Sequence, residues 1–104
     1  MLNLTASDSG TRCAAQVGDQ VSVALNENPS TGYRWQADVD EAVLRPLDDT
    51  FEAASEATGA GGTRRLTFEV LAAGPTELRL RKLRSWKPDE VVEEFTVTLD
   101  VTGV

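Results

Sequence analysis

Apolar and polar residues alternate along five segments of the chain, a period of two that is typical of strands with one buried face. Each segment carries its apolar residues at every second position, with polar residues between them. The apolar positions are Val21, Val23 and Leu25; Tyr33, Trp35 and Ala37; Leu66, Phe68 and Val70; Leu78 and Leu80; and Phe95, Val97, Leu99 and Val101. The pattern predicts five strands that present their apolar stripes to one common core.

Weaker strand signals lie near Leu2–Thr5, Arg12–Gln16 and Val43–Phe51, and residues 40–44 could form a short helical turn. Turn formers around Gly18 and Gly74 separate neighbouring segments. Short strands punctuated in this way predict an all-β fold, an immunoglobulin-like antiparallel β-sandwich of about seven to eight strands. The chain has one cysteine, so the sandwich would have no internal disulfide.

The predicted topology brings three connections to the same end of the sandwich. Successive antiparallel strands turn at alternate ends, so the connections near residues 26–31, 56–62 and 85–90 all lie at one end. The turns at Gly18 and Gly74, at the opposite end, are short and rich in ordinary turn formers. We therefore expect functional chemistry, if any, at the end with the longer connections.

Composition limits the function. The 104 residues fit a single domain, residues 1–104, and a formal net charge of -7 argues against nucleic acid or anionic membrane partners. There is no histidine, which excludes serine–histidine and cysteine–histidine catalysis and histidine-ligated zinc. Cys13 fits a small apolar strand residue better than a reactive thiol. We expect no enzyme activity, no metal and no cofactor.

Basic residues concentrate in the two strands predicted after residue 62. We expect them on a solvated face, paired with Glu69, Glu77 and the Glu93–Glu94 pair, where each exposed ion pair adds little stability. The residues concerned are Arg64, Arg65, Arg79, Arg81, Lys82 and Arg84.

Three sequence motifs lie in the three longer connections, at the same predicted end of the sandwich. The first loop, residues 28–33, reads Asn-Pro-Ser-Thr-Gly-Tyr; the second loop, residues 59–62, reads Gly-Ala-Gly-Gly; the third loop, residues 84–88, reads Arg-Ser-Trp-Lys-Pro. In this order, across essentially the whole chain, they resemble the chagasin family of cysteine peptidase inhibitors. That family carries Asn-Pro-Thr-Thr-Gly-Tyr/Phe, Gly-x-Gly-Gly and Arg-Pro-Trp loops. Ser30 replaces a threonine and Ser85 a proline.

The resemblance implies a reversible, competitive inhibitor of papain-like cysteine peptidases, of cathepsin L type or similar. A monomer is expected, although an unpaired edge strand could allow dimers. The resemblance places Thr31 near the catalytic cysteine and histidine, the second loop on the non-primed side of the cleft and Trp86 on the primed side. The implied peptidase-binding residues are Asn28, Pro29, Ser30, Thr31, Gly32, Tyr33, Gly59, Ala60, Gly61, Gly62, Arg84, Ser85 and Trp86.

Several alternatives stay open on sequence alone. Trp86 either caps the core or is exposed for binding, and Arg84 either orients the third loop or binds a partner carboxylate. The same loops fit a non-inhibitory immunoglobulin-like binding or adhesion module. An enzyme using Asp48 and Asp49 is disfavoured, because neighbouring strand residues point to opposite faces. A native full-length chain is expected in the cytoplasm, and one that has lost a leader in the periplasm or secreted.

Overall fold

The computed structural model describes residues 2–54, 61–87 and 89–103. Eight strands and two short 3-10 turns make up the regular structure of this part of the chain. The strands are β1 (Leu2–Thr5), β2 (Arg12–Gln16), β3 (Gln20–Glu27), β4 (Tyr33–Asp38), β5 (Leu44–Ala53), β6 (Gly62–Val70), β7 (Gly74–Arg84) and β8 (Glu93–Thr102). The 3-10 turns are Ala6–Asp8 and Pro29–Thr31. Within the same residues, no helix is both long and apolar enough to cross a membrane.

The strands form two four-stranded sheets, in the orders β1-β3-β6-β5 and β2-β8-β7-β4. This arrangement confirms the predicted sandwich. Strands β3 to β8 pair antiparallel as expected, whereas β1 pairs with β3, and β2 with β8, in parallel. The parallel pairs arise because the chain runs up one sheet, down the other and up the first again. Strands with an odd number of strands between them along the chain therefore share a direction: one strand separates β1 from β3, and five separate β2 from β8.

The core lies between the two sheets and follows the predicted alternation closely. Trp35 is buried as expected, and its indole Nε1 donates a hydrogen bond of 2.9 Å to the Asn26 carbonyl oxygen. The buried apolar side chains that form this core cluster are Leu4, Ala15, Val21, Val23, Leu25, Trp35, Leu44, Leu66, Phe68, Val70, Leu78, Leu80, Phe95, Val97, Leu99 and Val101. Cys13 is half-buried against this cluster, consistent with a small apolar strand residue.

Strand β4 departs from the prediction at Ala37, which is exposed rather than buried. The physical reason is its position: β4 and β5 are edge strands of different sheets, and neither strand covers the other. Between them lies an open groove of about 370 Å³, lined by Ala37 and Leu47 among others. Tyr33, at the start of the strand, is half-buried.

The short turns lie where the sequence predicted them. Gly18 and Gly74 both adopt positive φ, 95° and 116°, at the end of the sandwich opposite the three loops. Residues 40–44 form one helical turn, in which the Val43 and Leu44 amides donate to the Asp40 carbonyl oxygen at 2.9 and 2.8 Å. The turns at Gly18 and Gly74 thus lie at one end of the sandwich. The opposite end carries the first, second and third loops, and we call this end the loop pole.

The basic residues only partly follow the prediction of a solvated, ion-paired face. Arg79 contacts Glu77 at 2.6 Å and Glu94 at 3.4 Å on the outer surface of its sheet. Arg64 instead turns inward, with only 16% of its side chain exposed, and Arg84 lies between aromatic rings. The expectation of a solvated face was wrong for these two: Arg64 is in phase with the inward residues Leu66 and Phe68, and the partners of both arginines lie in other segments of the chain, at the base of the loop pole.

Candidate functional site

The loop pole is built where β3 ends, β4 begins, β5 gives way to β6, and β7 gives way to β8. The register fixes this convergence: Glu27 pairs with Gly62 and Ala53 also pairs with Gly62 in one sheet. In the other sheet Tyr33 pairs with Arg84. Since all these pairs stand at one end of the sandwich, the first, second and third loops leave the framework side by side, as the sequence predicted.

The first loop is folded by its own hydrogen bonds. The Asn28 side-chain oxygen Oδ1 accepts from the Ser30 amide at 3.1 Å and from the Ser30 hydroxyl at 2.7 Å. The Asn28 carbonyl oxygen accepts from the Thr31 amide at 3.1 Å and from the Thr31 hydroxyl at 2.8 Å. Asn28 thus caps the 3-10 turn Pro29–Thr31, as asparagine does at helix starts. Ser30 and Thr31 are exposed on a loop whose turn is closed by these hydrogen bonds.

Gly32 connects the first loop to the third. Its φ is +82°, in the left-handed region that favours glycine. A Cβ atom at this position would lie 2.7 Å from Cη2 of Trp86, inside van der Waals contact. The indole of Trp86 therefore packs directly on the Gly32 backbone, and any larger residue at position 32 would displace it.

Trp86 is the most exposed large apolar side chain of the described residues, with 64% of its surface accessible. It therefore does not cap the core, and of the two alternatives left by the sequence the exposed position is the one observed. Leu83, three positions earlier, is buried and fixes the chain just before the third loop. The turn that follows is closed by the Lys87 amide, which donates to the Arg84 carbonyl oxygen at 3.0 Å. Ser85 is exposed in this turn.

Arg84 orients the third loop from within the loop pole. Its guanidinium carbon Cζ lies 4.3 Å from the centroid of the Tyr33 ring and 5.8 Å from that of the Trp86 ring. Its Nε also donates a long hydrogen bond of 3.4 Å to the Thr31 carbonyl oxygen. Cation–π contacts of this kind favour Arg, whose planar group stacks on aromatic faces. The structure thus favours the orienting role that the sequence left open.

The second loop is described only at its end, since Gly59 and Ala60 lie outside the described residues, as does Pro88 of the third loop. Gly61 accepts a 3.0 Å hydrogen bond from the Ala54 amide. A Cβ at Gly61 would sit 3.4 Å from the Glu27 carbonyl oxygen, so the second loop ends against the base of the first. A Cβ at Gly62 would collide with the Glu52 carbonyl oxygen and lie 2.7 Å from Phe51. Glycine is required there by close packing.

Two residues at the base of the loops were not identified as site residues by sequence reasoning. Glu27 is a buried carboxylate, fully enclosed at its side chain, and it meets the guanidinium of Arg64 at 2.6 Å. The hydrogen bond from Arg64 to Glu27 raises the pKa of the guanidinium, with burial acting in the opposite direction. A signal was present, because Glu27 continues the inward phase of Val21, Val23 and Leu25. A carboxylate at an inward position demands a buried partner.

The described residues of the loop pole present groups suited to contact with a partner surface. No group of three or more Cys, Asp or Glu side chains suited to a metal ion occurs within the described ranges. Asp49 is engaged by Arg64 at 3.0 Å, and a register shift separates Pro46 from Asp48 in β5. What the pole presents is an exposed indole, the three exposed hydroxyl side chains of Ser30, Thr31 and Ser85, and glycine backbone, arranged on the end of the sandwich.

Comparison with known proteins agrees with the motifs. The model of the family described as Chagasin family peptidase inhibitor I42 matches residues 14–101. Chagasin from Trypanosoma cruzi is 31% identical over 103 residues, covering 92% of this chain and 94% of the relative.

Solved structures share the fold. The crystal structure of the cysteine protease inhibitor EhICP2 from Entamoeba histolytica superposes with a TM-score of 0.85 at 22% identity, covering 97% of this chain and 94% of that one. PbICP-C, solved in complex with falcipain-2, gives a TM-score of 0.64 at 14% identity, covering 98% of this chain and all of the other. At these identities the structural likeness supports the architecture of the sandwich.

Proposed function

Since the chain belongs to the chagasin family of cysteine peptidase inhibitors, we propose that its loop pole fills the active-site cleft of a papain-like peptidase, reversibly and in competition with substrate. Members of this family are inhibitors rather than enzymes, in agreement with the prediction that the chain has no catalytic activity. The relative solved with falcipain-2 supports a papain-like peptidase as the partner.

The observation that carries the proposal is Trp86, exposed and yet fixed in place. Trp86 exposes 64% of its surface at the end of the sandwich where the three loops meet, and tryptophan is one of the residue types enriched among interface hot spots. Its contact with Gly32 and the nearby Arg84 guanidinium hold the ring in one position before binding. Binding then loses little side-chain entropy, which is how preorganised inhibitors gain affinity. Exposed aromatic anchors of this kind supply much of the energy of protein interfaces.

The three loops divide the surface into a centre and two flanks. Ser30 and Thr31 would approach the catalytic thiol, with the second loop on one side and Trp86 on the other. The 3-10 conformation of Pro29–Thr31 is not the extended backbone in which a peptidase holds a scissile bond. The first loop would therefore block the catalytic residues without being cut, and no covalent step is needed.

The experiment that tests the proposal is inhibition of papain, titrated with this protein at several substrate concentrations. Competitive inhibition is expected, together with binding to papain whose active-site thiol is free and weaker binding to papain whose cleft is filled by a covalent peptide inhibitor. Equal binding to the free and the filled enzyme, without inhibition, would instead identify a non-inhibitory binding module.

Substitution of Trp86 should weaken inhibition more than any change on the sheet surface. We expect Trp86→Ala to raise the inhibition constant by about thirtyfold or more, the equivalent of a hot-spot loss of about 2 kcal/mol. Arg79→Ala is the control, because Arg79 is also partly exposed but lies on the outer face of its sheet. Similar inhibition constants for both variants, with unchanged circular dichroism, would remove Trp86 from the interface.

A further inference from the structure

We propose that Glu27 and Arg64 form an internal ion pair that positions the first and second loops relative to each other, so that inhibition depends on two residues that the peptidase barely touches. Glu27 is enclosed and Arg64 is only 16% exposed at its side chain. The inference rests on the proposed function, because it names the residues that hold that same binding surface in shape.

Glu27 closes the base of the first loop. It is the last residue of β3, directly before Asn28, and its side chain points inward between the sheets. Its Oε1 accepts the Trp35 amide at 2.8 Å, so one side chain joins the residue before the loop to a residue just after it. β4 is the edge strand of its sheet and has only β7 as a neighbour. The Glu27 carboxylate therefore gives the Trp35 amide a hydrogen-bond acceptor that β7 does not supply.

Arg64 carries the connection to the second loop. Its Nε and Nη2 donate to Oε2 of Glu27 at 2.9 and 2.6 Å. Arg64 stands two residues after Gly62, where the second loop joins β6. On its other side Nη1 donates to Asp49 at 3.0 Å, and Cζ lies 5.4 Å from the centre of the Phe51 ring. One guanidinium therefore links β3, β5 and β6 directly beneath two loops.

Stability alone does not account for this pair. Enclosing two charges costs desolvation energy, and apolar residues of similar size in their place are often as stable or more so. Leu25, two positions earlier, shows that the inward side of β3 accepts an apolar residue. An apolar side chain, however, can neither accept the Trp35 amide nor hold Arg64. The specific gain from Glu27 is geometry: it ties both loop bases to one carboxylate.

The test compares Glu27→Gln, Arg64→Met and the double variant with the wild type, using papain inhibition at a temperature where circular dichroism shows all of them folded. Each single change should raise the inhibition constant about tenfold, and the double variant should be no worse than the worse single one, as expected for two residues acting as a unit. Arg12→Met is the matched control, since it breaks a two-pronged arginine–aspartate pair away from the loop pole.

A purely structural role predicts something different. The variants would then unfold at lower temperature, yet inhibit papain as strongly as the wild type while folded, and that result would overturn the proposal. Arg64→Lys provides a second route if Glu27→Gln does not fold. Lysine keeps the charge without the planar fork, and we expect it to weaken inhibition nearly as much as Arg64→Met.

Hydrogen exchange separates failure of this inference from failure of the proposed function. If the wild type does not inhibit papain, the proposed function fails, but the coupling between the loops is still measurable. Glu27→Gln should speed amide exchange at Trp35 and also at Ala54, whose amide bonds to Gly61 at the end of the second loop. Faster exchange confined to Trp35 would show that the two loops are not coupled through this pair.

Discussion

At the scale of single residues, the loop pole depends on one glycine and one tryptophan that are far apart in sequence. Gly32 is needed twice over: its φ of +82° disfavours a side chain, and the space where a Cβ would go is taken by the Trp86 ring. Gly10 offers a natural comparison, because its φ is +85° but nothing lies within 4 Å of its missing Cβ. The two positions share a left-handed backbone conformation, and only Gly32 has a side chain packed against the space of its missing Cβ.

Gly32→Ala and Gly10→Ala should therefore lose similar stability, about 1 kcal/mol each, because both force alanine into the left-handed region. Only Gly32→Ala should also displace Trp86 and weaken papain inhibition, by about tenfold or more. Urea unfolding and inhibition constants measured on the same samples check both parts. Equal inhibition by the two variants would mean that the position of Trp86 does not matter.

At the scale of elements, β2 shows how an outer strand is held on a sheet without a hairpin. It pairs in parallel with β8 along its five residues, Arg12 to Gln16. Arg12 adds a two-pronged contact to Asp100, with Nε to Oδ2 at 2.8 Å and Nη2 to Oδ1 at 2.6 Å. These hydrogen bonds from Arg12 lower the pKa of the Asp100 carboxyl, and burial opposes them.

The pH dependence of this contact has a definite sign. A lowered folded-state pKa means that the pair stabilises the fold above the ordinary aspartate pKa, about 3.9, and that this contribution is lost as pH falls through the lower folded-state value. An NMR titration should place Asp100 below the usual aspartate range, and Arg12→Met should return it upward. The difference in unfolding free energy between the wild type and Arg12→Met should shrink as the pH falls through the folded-state pKa of Asp100. An Asp100 titration unaffected by Arg12→Met would contradict the pairing in solution.

At the scale of the whole molecule, one apolar core underlies all eight strands, and the two tryptophans report on different parts of it. Trp35 is buried in the core, whereas Trp86 is exposed on the loop pole. A single core predicts a single cooperative unfolding transition for a chain of 104 residues.

Trp86→Phe would leave Trp35 as the only tryptophan and make fluorescence a probe of the core alone. We expect its fluorescence transition in urea to coincide with the transition seen by far-ultraviolet circular dichroism, because core and strands should unfold together. Midpoints that differ beyond error would argue for more than one folding unit and against the single-domain prediction.

The sequence by itself determined the strands, the core and the identity of the loops. Alternation with a period of two is a local property, so it located buried residues such as Trp35 and Phe95 without knowledge of their neighbours. The same alternation also predicts that Glu27 points inward, since it follows Val21, Val23 and Leu25 at every second position. The rule was wrong at Ala37, because local alternation cannot tell an edge strand facing an open groove from a covered one.

Only the tertiary structure decided which residues meet at the loop pole. Arg64 reaches Glu27 across 37 positions, and the hydrogen bond from Arg84 to Thr31 of the first loop spans 53. No local pattern encodes such pairs, since they depend on the order and register of strands in two packed sheets. The sequence thus supplied the three loops, while the packing of the sheets decided that Trp86 stands on Gly32 and that one buried carboxylate holds two loops together.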